Sequence, residues 1–412
     1  MVPGTICNNW RGLSAVTELA ESYDVVCIGG AMMGSAAAYF LSENPDFDGS
    51  VLVVEPDWTY DHANTTRAQN SIREQFTNEL NIQLSRFGVE FIQDFHDRVQ
   101  VEGESPKLNF RGTGYMFIAD DEAAYQQLER EAHDQRAMGV EVAMLRPAQI
   151  AERYPYMDPN ELVGARVGGL REGSFDGWAL FQGLRQRAMH NRVVYIKDRV
   201  IGVDVVGSRV TRIRLESGQS VGCGFALNTA GCHATEVAKM VGLDLPVEPR
   251  ARTSFMFDCR TPIEHVVPLT VTPFGVHFRR EQQHFMCGTV PTNDIAVDPD
   301  DFEVRHDEFE EQIWPIVAKY VPQFDQIGVV TSWGGQYDYN TLDHNLIIGP
   351  GNDVENFLFA NGFSGHGLQQ GPAVGRGLSE LITYGEYRTI DLSPLGYSRI
   401  ERNEPIIEHA VI

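Results

Sequence analysis

The chain is short of cysteine. Its six, Cys7, Cys27, Cys223, Cys232, Cys259 and Cys287, stand among 412 residues with no C-x-x-C pair and no zinc-ligand spacing. That excludes a disulfide scaffold and a structural zinc module, and the thiols read as free in a reducing compartment. Long apolar runs are missing too, since no stretch reaches the ~18 residues of a membrane span. The opening segment, MVPGTICNNWRGLSAVTELA, lacks the charged start and apolar core of an export signal. A cytoplasmic protein with no membrane partner is therefore expected. Basic residues are outnumbered, 33 Lys and Arg against 57 Asp and Glu for a net charge of −24, which removes nucleic acid from the expected partners. An anionic substrate must then be drawn in by a local basic site. No H-E-x-x-H, paired His–carboxylate spacing or Walker motif occurs, so neither a catalytic metal nor ATP is expected. Repeats, low-complexity tracts and Pro/Gly-rich linkers are also absent.

What is present is enough chain for a large core, with 42% hydrophobic residues, and its length points to two domains. Residues Tyr23 to Asp57 read as a strand (DVVCIGG), a Gly-rich turn, a small-residue helix (SAAAYFLSE) and a second strand (VLVVEPD), which is one βαβ unit. Strand-like runs ending in small residues return at Gly224–Gly231 and Asn356–Gly362, so the nucleotide domain is expected to be discontinuous. The pattern predicts an α/β (α+β overall) protein. A Rossmann-type domain would occupy 22–99, 166–235 and 331–400. A substrate domain on a mostly antiparallel sheet would occupy 100–165 and 236–330, with strands at Tyr115–Ala119, Gly275–Arg280 and Phe285–Thr289 and a helix over Asp120–Met138.

Gly29, Gly30, Ala31, Met32, Met33 and Gly34 follow a strand and open a helix, the context that a G-x-G-x-x-G dinucleotide fingerprint needs. Ala31 stands at the second glycine position, where a bare backbone normally approaches the pyrophosphate. One methyl predicts a small displacement. Glu55, twenty-one residues after Gly34 at the end of the second strand, is placed to accept hydrogen bonds from ribose hydroxyls and disfavours a 2′-phosphate. These residues predict a dinucleotide without separating FAD from NAD.

The segments Asn228-Thr229-Ala230-Gly231 and Asn361-Gly362-Phe363-Ser364-Gly365-His366-Gly367, with the early fingerprint, resemble the D-amino acid oxidase superfamily of FAD enzymes, and within it the sarcosine oxidase and dimethylglycine dehydrogenase branch. Ser71-Ile72-Arg73-Glu74-Gln75-Phe76 and Gly275-Val276-His277-Phe278-Arg279-Arg280 also resemble a group that includes a mitochondrial respiratory-complex assembly factor. The resemblance runs from about Tyr23 to Pro394. It implies FAD held by Gly29, Gly30, Ala31, Met33, Gly34, Glu55, Thr66, Arg67, Val200, Ala230, Gly231 and the run Gly362, Phe363, Ser364, Gly365, His366, Gly367 and Leu368. The late run places a helix start beside the flavin ring, where unpaired N–H groups favour the negative charge of reduced flavin. Covalent attachment through a cysteine near Asn340 is ruled out by its absence from Trp333–Tyr339. His62 is the remaining candidate for a covalent link, and noncovalent FAD is expected.

Arg73, the Arg of the family's R-x-x-F/Y pattern, is the expected carboxylate clamp, because a guanidinium fork pairs with a carboxylate bidentately. His277 and Arg279 share a strand face that would address the flavin, with Arg280 pointing away. Gln369 replaces a substrate-binding Lys of the sarcosine oxidase pattern. Trp333, Tyr337 and Tyr339 are candidates for an aromatic wall. The resemblance implies oxidation of a small secondary amine built on glycine, of the sarcosine, dimethylglycine or iminodiacetate type. Hydride transfer to flavin N5 would be followed by imine hydrolysis, with oxygen (giving hydrogen peroxide) or an electron-carrier protein as acceptor. A primary amino-acid oxidase, a flavoprotein assembly factor with little turnover and an NAD dehydrogenase are the alternatives.

Overall fold

The computed structural model describes residues 19–410, so Cys7 and most of the opening segment lie outside the described residues. Two eight-stranded sheets organise the chain. The first carries the order Ile347–Gly351, Val354–Asn361, Ser220–Asn228, Ser22–Ile28, Val51–Glu55 and Val194–Lys197. Its central pairs are parallel, and Val200–Val206 and Arg209–Leu215 extend it as antiparallel strands. The central strands are runs of β-branched and aliphatic residues buried on both faces, as in VLVVE at Val51–Glu55. Such continuous apolar runs suit a parallel sheet covered by helices.

The helices Met32–Ser42, Gly177–His190 and Gly367–Tyr384 share one apolar core with these strands. Met32–Ser42 is built of small residues, and Ala36 lies against Gly375 so closely that a Cβ at Gly375 would stand 2.6 Å from the Ala36 backbone. Close helix–helix approach requires that bare position.

The second sheet runs Ile327–Asn340, Val247–Cys259, His284–Gly288, His277–Glu281, Leu269–Val271, Tyr115–Ala119, Gly164–Gly168 and Val142–Leu145. All neighbours are antiparallel except Leu269–Val271 beside Tyr115–Ala119. Its own core gathers Phe255, Phe257, Phe278, Phe285 and Phe324. The discontinuous α/β layer and the mostly antiparallel second sheet are both present.

The expected divisions of the chain differ from the strand pairing in three places. Residues 331–340 were expected with the nucleotide part but belong to the long strand Ile327–Asn340 of the second sheet. Residues 166–168 end the Gly164–Gly168 strand of that same sheet. Val237, Ala238, Leu243 and Leu245, expected in the substrate part, instead pack with Val26, Ile28 and Phe357 of the first. None of these runs carries in its own pattern a mark of which sheet it joins.

Candidate functional site

Between the two sheets lies one cavity of about 570 Å³, within the range of about 300–1,000 Å³ typical of ligand clefts. Its first wall is the turn after the strand Ser22–Ile28. Gly29 adopts φ +105°, and a Cβ there would stand 2.5 Å from the Thr229 carbonyl oxygen. Gly34 packs against the Gly29 carbonyl with no room for a side chain. These two glycines let the helix Met32–Ser42 start directly at the strand end. Its N-cap, Ala31, makes no side-chain cap, and although the Met32 N–H goes to Thr65 the helix N-terminus faces the cavity without a cap of its own, suited to a pyrophosphate.

Glu55 lines the same wall. Its Oε2 accepts from the Gly30 N–H at 2.8 Å and its Oε1 from the Asp57 N–H at 2.9 Å, and burial raises its carboxyl above the ordinary range. Thr65 lines the cavity and accepts from the Met32 N–H at 3.2 Å. Ala31, Met33, Arg67, Val200, Ala230 and Gly231 also border this space.

The second uncapped N-terminus belongs to Gly367–Tyr384, and Phe363, Gly365, His366, Gly367 and Leu368 line the cavity there. Gly365 has φ +94° and abuts the Tyr337 ring, which a Cβ would approach to 2.6 Å. Asp338 holds this turn: its Oδ2 accepts from the Gly362 N–H at 2.9 Å and the Phe363 N–H at 3.3 Å. Its burial pushes the carboxyl up to about 6.

Arg73 reaches the cavity from between the sheets and is 2% exposed. Its guanidinium lies over the Phe76 ring at 4.4 Å, with Tyr115 and Phe117 each at 5.7 Å. It donates to the Ala410 carbonyl and to His366 Nε2, the latter at 3.2 Å. Burial and the Arg73 charge hold His366 well below the usual imidazole range, so the ring is neutral and Nε2 accepts. Among the described residues no carboxylate pairs with Arg73, and its buried Nε has no hydrogen-bond partner. Gln369 Oε1 accepts the Arg73 backbone N–H at 2.9 Å. The residue standing where the sarcosine oxidase pattern has Lys thus fixes the arginine's main chain.

His277 lines the cavity as well, and its Nε2 meets Gln69 Oε1 at 2.9 Å. Gln69 Nε2 donates to Ser254 Oγ at 3.1 Å and to the Cys287 carbonyl at 3.3 Å. Oε1 is therefore the acceptor, which puts the His277 proton on Nε2. Burial and then Arg279 hold His277 down to about 4. Arg252 adds a second guanidinium to the cavity wall, over the Tyr337 ring at 4.7 Å and bound to both Asp294 oxygens at 2.7 and 3.0 Å.

Several expected residues do not reach the cavity. Arg279 is buried behind it, donating to Glu281 and to the Gln69 carbonyl at 2.6 Å, so it supports Gln69 and does not address a ligand. Arg280 turns the other way, towards the Ile263 carbonyl. Thr66 Oγ1 closes its own turn through the Tyr60 and Ala63 carbonyls. Gly30, Gly34, Gly362 and Ser364 shape the turns without bordering the space. Of the aromatic candidates only Tyr337 lines it. Trp333 Nε1 donates to the Arg67 carbonyl at 2.9 Å, and Tyr339 borders a separate cavity of about 180 Å³. His62 lines the main cavity and stacks on Phe302 at 5.1 Å. Sequence reasoning missed Gln69, Tyr115, Arg252 and Asp338; only the R-x-x-F context near Gln69 and the Asn340 neighbourhood near Asp338 offered any signal.

Among the described residues no group of side chains could hold a metal, and no helix is long and apolar enough to cross a membrane. The two bare turns, the uncapped helix starts and the Glu55 carboxylate fit a flavin dinucleotide. The family model for FAD dependent oxidoreductases matches residues 24–381. FAD-dependent oxidoreductase domain-containing protein 1 of Bos taurus is 34% identical over 438 residues, covering 98% of this chain and 90% of that protein. Sarcosine oxidase subunit beta of Arthrobacter sp is 24% identical, with 96% of each chain covered. L-proline dehydrogenase from P. horikoshii shares the fold, with a TM-score of 0.81 and 22% identity over 94% of this chain and 100% of that one. A cavity built on two glycine-turned helix starts, within a chain that matches along most of its length, places this protein in the DAO family of FAD-dependent oxidoreductases.

Proposed function

We propose that the chain oxidises a small secondary amine carrying a carboxylate, an N-substituted glycine such as sarcosine, dimethylglycine or iminodiacetate. The observation that carries this reading is Arg73, a buried guanidinium on the cavity wall with no carboxylate partner among the described residues. Burying an unpaired cation is costly, and an anionic ligand in the cavity supplies the missing partner. The likeness to sarcosine oxidase subunit beta supports a glycine-derived amine.

Bound FAD supplies the two-electron sink for a C–H bond next to nitrogen, held by the Gly29–Gly34 turn, Glu55 and the Gly362–Leu368 run. The chain's own residues do the rest. Arg73 binds and orients the carboxylate. Phe76, Tyr115 and Phe117 surround that fork with ring faces and exclude water, which strengthens the charge pairing. Neutral His366 and His277 add no positive charge to that of Arg73 and of Arg252, and Asp294 offsets the Arg252 charge. The imine product hydrolyses in water, and oxygen is the proposed electron acceptor.

The test is anaerobic titration of the purified holoprotein with sarcosine, dimethylglycine, iminodiacetate, glycine and D-alanine, following the flavin absorbance band. Bleaching by an N-substituted glycine is expected. Bleaching by glycine or D-alanine alone would replace this reading with a primary amino-acid oxidase, and bleaching by none would refute it.

A further inference from the structure

Arg73 is pinned on both sides of its main chain. Before it, Ser71–Ile72 pairs with Gly173–Ser174 in a two-stranded ladder, and Gln369 takes the Arg73 N–H. After it stands Glu172, buried at 1% exposure. Its Oε1 accepts the Glu74 N–H at 2.7 Å and the Gln75 N–H at 3.1 Å, and its Oε2 accepts Gln75 Nε2 at 2.7 Å. Gln75 is fixed in turn, because its Oε1 accepts Arg166 Nε at 2.8 Å and Arg166 pairs with Glu131 at 2.6 Å. Gly168 leaves the Glu172 carboxylate its space, since any Cβ there would collide with Oε2. Among the described residues, every hydrogen bond made by this carboxylate is received from a donor on the two residues that follow Arg73.

We propose that Glu172 is the positioning residue of the substrate clamp: its ionised carboxylate locks the main chain at Glu74 and Gln75 and thereby sets the angle at which Arg73 enters the cavity. The proposal rests on the reading of Arg73 as the carboxylate clamp. A protonated Glu172 would turn one oxygen into an O–H donor facing only donors, and the lock would loosen.

The charged and titratable groups facing Glu172 are Arg73 and Glu74 from its partner segment, Tyr115 from the neighbouring strand and Arg166 from Gly164–Gly168. Burial outweighs the donors and Arg73 and pushes Glu172 up to about 7. The lock is therefore complete above neutrality and is lost as pH falls through about 7. His366 and His277 are already neutral there, so neither adds a limb in that range.

The probe is methoxyacetate, which keeps the carboxylate and skeleton of an N-methylglycine with oxygen in place of the amine, so it binds without forming an imine. Its Kd for the FAD-loaded protein is read from the flavin difference spectrum as a function of pH. The wild type is expected to bind about tenfold more weakly one pH unit below the midpoint, where about a tenth of the protein keeps the lock. Glu172→Gln should bind more weakly at high pH and lose this pH-dependence. The same change in an Arg73→Met background should have no further effect, because a positioning residue acts through the group it positions.

Normal binding with a flat pH profile, or a Glu172→Gln penalty that persists without Arg73, would overturn the role of Glu172 and leave the clamp standing. No saturable binding to the wild type would overturn the clamp and the positioning role together. If Glu172→Gln yields no flavoprotein, Gln75→Met removes one donor to the carboxylate and should move the midpoint to higher pH; an unmoved midpoint would overturn the proposal.

Discussion

Replacing Arg73 by Met tests the substrate reading most directly. The side chain is 2% exposed and packed among Phe76, Tyr115 and Phe117, where an unbranched thioether fills the same apolar sleeve and makes favourable sulfur–ring contacts. The fold should survive, because the change removes a buried cation that has no carboxylate partner among the described residues. What is lost is a charge-assisted hydrogen bond to the ligand, worth about 1.5–3 kcal/mol. The ligand must first displace the Ala410 carbonyl from the guanidinium, a neutral acceptor exchanged for a charged one. The net effect on kcat/KM is then a loss of about tenfold to a hundredfold or more. Steady-state oxidation of the substrate found by titration, with flavin content measured on the same samples, is the assay. A variant with full flavin and unchanged kcat/KM would remove Arg73 from the site. A variant lacking flavin would show that Arg73 serves the cofactor.

Gly34→Val should give flavin-poor protein, read from the ratio of flavin to protein absorbance, because any Cβ at that position strikes the Gly29 carbonyl. Gly365→Ala should also lower flavin occupancy, since φ +94° disfavours a side chain and its Cβ would push Tyr337 into the cavity; unchanged occupancy would show that the ring has room to yield. Asp338 has its folded value raised to about 6, so its protonated form stabilises the fold and that contribution is lost as pH rises through about 6. Relative to Asp338→Asn, the wild-type apoprotein should therefore gain melting temperature as the pH is lowered across that range, and parallel melting curves would refute the assignment. Gly88→Ala should lower the melting temperature through overpacking worth about 1–3 kcal/mol, because its Cβ would press on the Gln369 carbonyl between two helices.

The βαβ unit was legible because its parts are contiguous: strand, bare turn, small-residue helix and acid-terminated strand follow one another over about thirty residues. Residues 356–362 were legible for the same reason, as an apolar run ending in glycine. The Arg73 segment and the Gly362–Gly367 turn became readable only through resemblance, since a lone Arg and a Gly-rich loop carry no address of their own. Glu172 was not legible at all. It meets Glu74 across 98 residues of chain, brought there by strands of two residues each, far below what periodicity can register. Arg279 shows the converse. Strand alternation put it correctly on the face of His277, but a shared face does not fix how far a long side chain extends, and its guanidinium is spent on Glu281 and the Gln69 carbonyl.

The strand Ile327–Asn340 has one further consequence. It is paired along its length with Val247–Cys259, and its last residues are sewn to the Gly362–Gly367 turn, with the Ser364 N–H on the Asp338 carbonyl at 3.1 Å and the Asn340 N–H on Ser364 Oγ at 3.0 Å. A clamshell motion that parted the two layers would have to tear this seam. The seam therefore fixes the spacing of the two layers at this end of the cavity, and the width available to a bound molecule there is set by backbone and not by side chains.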